Sequence, residues 1–234
     1  NETLFTQSPG FDQTVVDIPQ VMEGIAGQPA KDVAEYDLVK RRLIDSELTE
    51  KSIDFMRRKA NGDKPFFLYV PLTHLHFPTL AHPDFAGKSG VGEFADSMME
   101  MDYRVGQLMD AVKDLGIEKD TLFIFASDNG PEFRRPWRGT AGPWSGTYHT
   151  AMEGGLRVPL IVKWTGHIDK ARVSDDIVHV TDLFTTLIEV AGAEMPTDRP
   201  IDGLSQLSWW KGLVEKSARE GFLFYIKTEL RAVK

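Results

Sequence analysis

The apolar residues of this chain form three short runs and one long stripe with helical spacing. The runs at residues 66–70, 122–126 and 158–164 predict buried strands, and such runs are typical of parallel sheets that are covered on both faces. The stripe predicts an amphipathic helix ended by Gly116, because its members alternate steps of three and four. These members are Phe94, Met98, Met101, Val105, Leu108, Val112 and Leu115. The order strand, helix, strand predicts a right-handed β-α-β unit with parallel strands.

The first part of the chain shows weaker patterns. Residues 1–46 carry scattered Pro and Gly without sustained periodicity, and they predict loops with short helical pieces. A helix is predicted to begin at Thr49, as its N-cap, and to end at Asn61-Gly62.

The last part of the chain predicts one more helix, a linker and a strand. The helix covers residues 182–191, and Asp182 in its first turn is expected to complement the helix dipole. The linker begins at residue 196, and strand-like residues follow at 222–226. We therefore expect one large domain over residues 1–195, and a linker with the start of a small C-terminal domain over residues 196–234.

Composition narrows the function classes. The chain has 234 residues, a net charge of −8 and no cysteine. The acidic balance argues against a nucleic-acid partner, and the lack of cysteine excludes disulfides, thiolate metal ligands and a cysteine nucleophile. No apolar run approaches membrane-spanning length. Because no signal peptide precedes Asn1 and the last residues resemble an interrupted strand, we expect the chain to be a piece of a longer protein.

An acid and an amide follow the central apolar run directly. Asp128 and Asn129 precede Gly130-Pro131, which forces the chain to turn. Two adjacent oxygen ligands at the carboxyl end of a strand suit a hard cation such as Ca²⁺ or Mg²⁺. The alternative is a turn that merely closes a strand.

Three histidines occur within nine positions of a Pro-rich loop that follows residues 66–70. His74 and His76 come just after the predicted strand and are candidates for function, whereas His82 is interpreted as a surface residue. Because parallel strands end at the same edge of a sheet, His76 is expected to share one crevice with Asp128 and Asn129. This expectation favours a cation site at Asp128 and Asn129 over a turn that merely closes a strand.

Residues 132–149 form a long loop that is rich in Arg and Trp. Such loops are usually functional or disordered, and disordered segments are poor in aromatic residues. The loop therefore predicts a rim that binds an anion. Stacking of arginine on tryptophan for plain packing is the alternative.

Several motifs together resemble the sulfatases of the alkaline phosphatase superfamily, in the family's order and over roughly residues 45–220. They are Pro65-Phe66-Phe67-Leu68-Tyr69, His74-Leu75-His76-Phe77-Pro78, Ser127-Asp128-Asn129-Gly130-Pro131, Glu153-Gly154-Gly155-Leu156-Arg157-Val158-Pro159, Val162-Lys163-Trp164-Thr165-Gly166 and Ile201-Asp202-Gly203. The tail, with Thr197-Asp198-Arg199-Pro200 and Ser217-Ala218-Arg219-Glu220-Gly221, is similar to the bacterial arylsulfatase branch.

The resemblance implies an α/β fold, an alkaline-phosphatase-like sandwich with a mixed central sheet flanked by helices, and a chain that lacks the N-terminal part. It implies hydrolysis of sulfate esters with a formylglycine nucleophile and Ca²⁺, in preference to Mg²⁺. Asp128 and Asn129 match metal ligands, and His76 matches the histidine that protonates the leaving oxygen. His74 is expected to be near the substrate. The resemblance also suggests a periplasmic or secreted enzyme.

Two family features are missing from this sequence. The nucleophile motif is Cys/Ser-x-Pro-x-Arg, and none of the 13 Pro has Cys, Ser or Thr two places before it. The family's sulfate-binding lysine falls on Tyr148, so His149 beside it, or Arg138, is expected to act as the substitute cation. We expect the nucleophile and two further Asp ligands to lie in the missing part, and the 234 residues alone to be inactive.

The expected substrate is a small-molecule or carbohydrate sulfate ester, with no nucleic-acid or membrane partner. The alternatives are a phosphodiesterase or phosphonate monoester hydrolase on the same fold, or a non-catalytic, metal-stabilised binding protein. The sequence leaves the ester and the oligomeric state open.

Overall fold

The computed structural model describes residues 17–135 and 137–234. These residues group into two compact units. The first contains residues 17–115 and 131–140, and the second contains residues 116–130 and 141–234. Of the sequence-based predictions for residues 1–46, those on residues 1–16 lie outside the described residues.

The first unit begins with a hairpin and continues with two long helices. Strands β1 (Gln20–Glu23) and β2 (Lys31–Glu35) pair antiparallel. Helix α1 spans Leu38–Lys59 and helix α2 spans Glu93–Asp114. The side chain of Asp37 caps α1, because it accepts a hydrogen bond of 2.7 Å from the backbone N–H of Lys40.

The prediction for the start of α1 was wrong. The helix begins at Leu38, within the stretch predicted as loop, and Thr49 lies in its interior, where its hydroxyl donates to the carbonyl of Asp45 at 2.7 Å. The reason is that the buried face of α1 is largely polar, so hydrophobic periodicity does not reveal it. This face consists of Arg41, Ile44, Asp45, Thr49, Ser52 and Met56.

The prediction of α2 was confirmed in extent, but only half of its stripe forms an apolar core. Leu108 and Val112 are buried, and Gly116 follows the helix with the left-handed φ of +71° typical of a helix stop. In the first half, Met98 is exposed. The residues buried there are Asp96, Ser97, Glu100 and Arg104.

The second unit contains the remaining elements. They are β3 (Phe123–Ala126), α3 (Glu153–Leu156), β4 (Leu160–Lys163), α4 (Val180–Val190), α5 (Leu207–Trp210), β5 (Leu223–Ile226) and β6 (Glu229–Val233). β3 pairs antiparallel with β4, with Phe123 opposite Lys163 and Ala126 opposite Leu160, and β5 pairs antiparallel with β6. All sheets of the described residues have two strands.

The predicted parallel β-α-β unit is therefore wrong. The strand at β3 exists, but its partner is the antiparallel β4, and residues 65–70 belong to no strand. A strand requires hydrogen bonds to a neighbouring backbone, and residues 65–69 form none with other described residues. Exposure nevertheless alternates along this segment, with Phe67 73% and Tyr69 75% exposed between half-buried neighbours. The segment is thus extended, with one apolar face exposed.

The C-terminal predictions agree with the structure more closely. α4 and β5 cover the predicted helix and strand, and Gly192 follows α4 with φ +64°. Asp182 does more than complement the helix dipole, because it is completely buried and accepts hydrogen bonds from Arg219. The domain boundary between residues 195 and 196 stays a prediction. No helix of the described residues is long and apolar enough to cross a membrane.

Candidate active site

Residues 73–82 of the first unit, here called the histidine loop, are anchored by α1. The carboxylate of Asp45 accepts hydrogen bonds from the backbone N–H groups of Thr73, at 2.8 and 3.0 Å, and of His74, at 2.9 Å. It also accepts one from the Thr73 hydroxyl at 2.7 Å. Asp45 therefore fixes the backbone where the loop begins.

His74 lies in the interior of the first unit. Its Nε2 atom is 2.8 Å from Oε2 of Glu100 and its Nδ1 atom is 3.8 Å from Oδ2 of Asp45, and its side chain is 0% exposed. A side chain enclosed between two carboxylates has no surface to offer a substrate. The structure thus favours a role for His74 in holding the loop, and the expected contact with substrate stays a prediction.

Glu100 of α2 connects the two ends of the histidine loop. Besides its contact with His74, it accepts a hydrogen bond of 2.6 Å from the backbone N–H of His82 and bonds of 3.2 Å from Arg104. Burial by itself raises the pKa of Glu100, but its close contacts with the His74 ring, the His82 backbone N–H and Arg104 outweigh it and hold the pKa below its usual value. Glu100 is thus held as a carboxylate beneath the loop.

The backbone of the loop is strained at Leu75. Its φ of +76° is in the left-handed region, which residues other than glycine rarely adopt and which must be imposed by the surroundings. Arg41 bridges this point, because its guanidinium donates to the carbonyl of Thr73 at 2.6 Å and to that of His76 at 2.8 Å. Leu75, the strained residue, thus lies between Thr73 and His76, whose carbonyls Arg41 binds.

His76 is exposed, in contrast to His74. Its Nδ1 atom lies 2.6 Å from the carbonyl oxygen of Phe77, and because a carbonyl only accepts, Nδ1 carries the hydrogen in this contact. Nε2 is therefore the ring nitrogen left to exchange a proton with a bound molecule.

An aromatic and cationic surface adjoins His76 within the first unit. The rings of His76 and Phe77 are stacked with centroids 4.8 Å apart, and Trp137 is stacked on Phe77 at 6.4 Å. The guanidinium of Arg134 lies 4.2 Å from the centroid of Phe77. Arg138 lies over the ring of Phe133 at 3.6 Å, so it stacks on a phenylalanine rather than on the tryptophan of the alternative interpretation. Anion binding by Arg138 stays a prediction.

Asp128 and Asn129 form a turn directly after β3, in the second unit. Oδ1 of Asp128 accepts a hydrogen bond of 2.9 Å from the backbone N–H of Asn129, whose side-chain amide donates to the carbonyl of Gly130 at 3.0 Å. Both side chains keep oxygen atoms that can bind a cation, and Asp128 is exposed. No group of three or more His, Cys, Asp or Glu suited to a metal occurs in the part of the chain that the structure describes. A cation site at Asp128 and Asn129 therefore stays a prediction.

The glycines of the Glu-Gly-Gly motif hold this turn in close packing. The backbone N–H of Gly130 donates to the carbonyl of Gly155 at 2.9 Å. A Cβ atom at Gly130 would lie 1.9 Å from the carbonyl oxygen of Gly154, so only glycine fits there. The motif therefore positions the Asp128-Asn129 turn.

The same glycines support the turn that contains His149. A Cβ atom at Gly155 would lie 2.3 Å from the carbonyl oxygen of Thr147 and 2.7 Å from that of Thr150. The Thr150 hydroxyl closes this turn with a bond of 2.7 Å to the carbonyl of Thr147, and His149 is exposed with φ +64°. The two glycines thus contact both segments that carry predicted site residues of the second unit.

The predicted site residues divide between the two units. His74, His76 and Arg138 belong to the first, and Asp128, Asn129 and His149 to the second. The sequence reasoning missed four buried charged residues, namely Arg41, Asp45, Glu100 and Arg104. A usable signal was present, because Arg41 and Asp45, and likewise Glu100 and Arg104, are oppositely charged residues four positions apart in a helix. Such pairs usually lie in water, however.

The family model that matches this chain is described as "Sulfatase", and it matches residues 2–193. The chain is 42% identical to human arylsulfatase A over 175 residues, which are 74% of this chain and 34% of that protein. It is 35% identical to mouse steryl-sulfatase over 207 residues, 86% of this chain and 32% of that protein. It is 38% identical to rat N-acetylgalactosamine-6-sulfatase over 160 residues, 68% of this chain and 30% of that protein.

Solved structures show the same relationship. The PsFucS1 sulfatase from Pseudoalteromonas sp. matches with a TM-score of 0.82 and 28% identity, over 91% of this chain and 43% of that chain. The Ps i-CgsB structure in complex with k-i-k-neocarrahexaose matches with a TM-score of 0.67 and 26% identity, over 79% of this chain and 42% of that chain. The chain thus has the sulfatase, alkaline-phosphatase-like fold with mixed α/β content, and it spans about a third of the length of the curated relatives it matches.

Proposed function

The chain belongs to the sulfatase family, and on this basis we propose that the enzyme containing it hydrolyses sulfate esters. We infer further that it uses a formylglycine nucleophile, which must lie outside these 234 residues because no Cys/Ser-x-Pro-x-Arg motif occurs within them. It follows that the 234 residues alone do not turn over a sulfate ester.

The reaction breaks the bond between sulfur and the bridging ester oxygen. Water supplies the hydroxyl that ends on sulfur and the proton that ends on the departing oxygen, so the site needs a group that delivers this proton. We assign the delivery to Nε2 of His76, because this residue is exposed and its Nδ1 atom is occupied by the Phe77 carbonyl. This single observation carries the proposed mechanism.

Asp128 and Asn129 would hold Ca²⁺, because the turn after β3 presents a carboxylate and an amide oxygen side by side. A bound divalent cation lowers the cost of the negative charge that develops on the sulfuryl oxygens. His149 would add a cationic hydrogen-bond donor to the sulfate, in the place of the family's lysine, and Arg138 is the other candidate for that role.

The substrate class is a carbohydrate or other small sulfate ester. This assignment is supported by the relatives, one of which is named for N-acetylgalactosamine 6-sulfate and another of which was solved with a neocarrahexaose. The resemblance also supports a periplasmic or secreted enzyme.

The test compares leaving groups in the complete enzyme. His76→Ala should slow a sugar or alkyl sulfate by about 10²–10⁴-fold and nitrophenyl sulfate far less, because a good leaving group departs without a proton. His82→Ala is the matched control, since His82 lies in the same loop and its ring contacts the neighbouring Asp84, from whose backbone N–H it accepts a bond of 3.2 Å. Equal slowing of both substrates would exclude the acid role, and faster hydrolysis of a phosphodiester than of any sulfate would exclude a sulfatase.

A further inference from the structure

A buried network of charged side chains underlies the histidine loop. Asp45 and Glu100 are completely buried, and Arg41 and Arg104 are nearly so. Replacing such a network by apolar residues of similar volume is often neutral or stabilising, so its presence is weak evidence for a contribution to stability. The role of this network is indicated instead by the groups that its side chains bind.

The network binds the backbone of the histidine loop. Asp45 accepts from the N–H groups of residues 73 and 74, and Glu100 from that of His82. Arg41 donates to the carbonyls of residues 73 and 76, and Arg42 donates to that of Ala81 at 3.0 Å. Among the residues that the structure describes, the backbone of residues 73–81 forms no hydrogen bond with other backbone groups. Side chains of α1 and α2 thus take the place of secondary structure in defining this loop.

We propose that Glu100 and His74, together with Arg41 and Asp45, are positioning residues for His76. The proposal rests on the proposed role of His76 as the acid. The carbonyl of His76 is itself held by Arg41, and the strained residue Leu75 lies between it and the His74–Glu100 contact. Releasing that contact allows Leu75 to leave its left-handed conformation, and this displaces the His76 ring.

The expected effect is large although no residue of the network contacts the substrate. A displacement of about 1 Å at a reacting group costs on the order of 10²-fold in rate. If the network only stabilised the fold, its loss would lower the amount of active enzyme equally for every substrate.

The test uses Glu100→Gln in the complete enzyme, because it keeps the shape of the side chain and removes its charge. We expect kcat to fall by about 10–10²-fold for a sugar or alkyl sulfate and much less for nitrophenyl sulfate, which is the pattern of His76→Ala in weaker form. Adding Glu100→Gln to His76→Ala should cause no further loss, because the group that it positions is already absent. An equal loss of kcat for both substrates, or a further loss of kcat when Glu100→Gln is added to His76→Ala, would overturn the proposal.

Asp96→Asn provides a matched control. Asp96 is a buried carboxylate on α2, one turn before Glu100, and it accepts from the N–H groups of Gly87 and Ser89 at 2.8 Å, outside the histidine loop. The Asp96→Asn substitution should leave the dependence of the rate on the leaving group unchanged. A leaving-group effect in Asp96→Asn would trace the result to α2 as a whole and refute a specific role of Glu100.

A second measurement separates this proposal from the proposed function. Nuclear magnetic resonance of enzyme with labelled histidine rings, in which the His76 signal is identified by its loss in His76→Ala, reports the ring environment without turnover. Glu100→Gln should shift the His76 signal and Asp96→Asn should not. If His76→Ala shows no leaving-group effect, the acid role fails, and this shift alone decides whether the network positions His76. If Glu100→Gln does not fold, Arg41→Lys, which keeps the charge but removes the guanidinium that binds the carbonyls of Thr73 and His76, is measured in the same way.

Discussion

Arg219 clamps the completely buried carboxylate of Asp182 from 37 positions further along the chain. Its Nε atom donates to Oδ2 at 2.8 Å and a terminal nitrogen donates to Oδ1 at 2.6 Å, which is the two-pronged geometry of a strong pair. Asp182 also accepts from the backbone N–H of Leu204 at 2.9 Å. The pair therefore ties the residues after the predicted linker to the first turn of α4.

We predict that Arg219→Ala destabilises the protein by about 3–5 kcal/mol, because it leaves the carboxylate of Asp182 buried without its cation. Urea unfolding followed by tryptophan fluorescence is suitable, since Trp209 and Trp210 of α5 are buried. Arg199→Ala is the control, because Arg199 is exposed and pairs with its exposed neighbour Asp198. Equal unfolding midpoints for the two variants would contradict the clamp.

Stability should depend on pH through His179. Its Nδ1 atom caps α4 by accepting from the N–H of Thr181 at 3.3 Å, which a protonated nitrogen cannot do. Burial and, to a lesser degree, the charge of Arg219 lower the pKa of His179 below its usual 6.5.

The direction of this pH dependence of stability follows from proton binding to His179 in the unfolded chain. Because unfolded His179 takes up its proton at a higher pH than folded His179, this contribution to stability is fully present above about pH 6.5 and is lost as the pH falls towards the folded-state value. His179→Asn keeps a cap that does not titrate, so the difference in unfolding free energy between the two proteins should change between about pH 7.5 and 5.5. A constant difference would show that His179 does not contribute to the pH dependence.

Removal of a proposed calcium ligand should weaken metal binding. Asp128→Ala in the complete enzyme should reduce Ca²⁺ affinity at least about tenfold and abolish most activity, because the site loses one of its charged ligands. Calorimetric titration with Ca²⁺ measures the affinity directly. Asp169→Ala, an exposed aspartate of the same unit, should change neither property. Unchanged metal content and activity in Asp128→Ala would refute the assignment.

His149 is predicted to bind the sulfate group as a cation. His149→Asn is the appropriate variant, since asparagine tolerates the left-handed φ of +64° and carries no charge. It should slow nitrophenyl and alkyl sulfates by the same factor, unlike His76→Ala. Adding Tyr148→Lys, at the position of the family's lysine, should restore part of the rate. If His149→Asn has no effect and Arg138→Ala slows both substrates, Arg138 is the cation instead.

Gly155→Ala should disturb both turns that the Glu-Gly-Gly motif supports. Its Cβ would lie 2.3 Å from the Thr147 carbonyl, an overlap that we expect to destabilise the protein by about 1–3 kcal/mol. Gly106→Ala, in the open interior of α2, should instead stabilise by about 0.5–1 kcal/mol. Thermal unfolding of both variants checks the contrast. A stability of Gly155→Ala equal to wild type would show that the packing at this glycine is looser than described.

Local patterns were sufficient where one segment decides its own structure. The apolar stripe and Gly116 defined α2, the unbroken run defined β3, and the motifs identified the family that the comparisons confirm. These features depend on residues close in sequence, so the sequence contains the information that determines them.

The tertiary structure alone decided which strand pairs with β3, where α1 begins and which histidine is available to a substrate. Partner choice depends on backbone that lies far away in sequence, so neighbouring residues give no indication that β3 pairs antiparallel with β4. α1 and the first half of α2 present polar faces whose charged side chains bind the backbone of the histidine loop, whereas polar faces normally indicate solvent. His74 and His76 have the same chemistry two positions apart. Asp45 and Glu100, brought to the loop by two different helices, lie beside the buried ring of His74, whereas His76 is exposed.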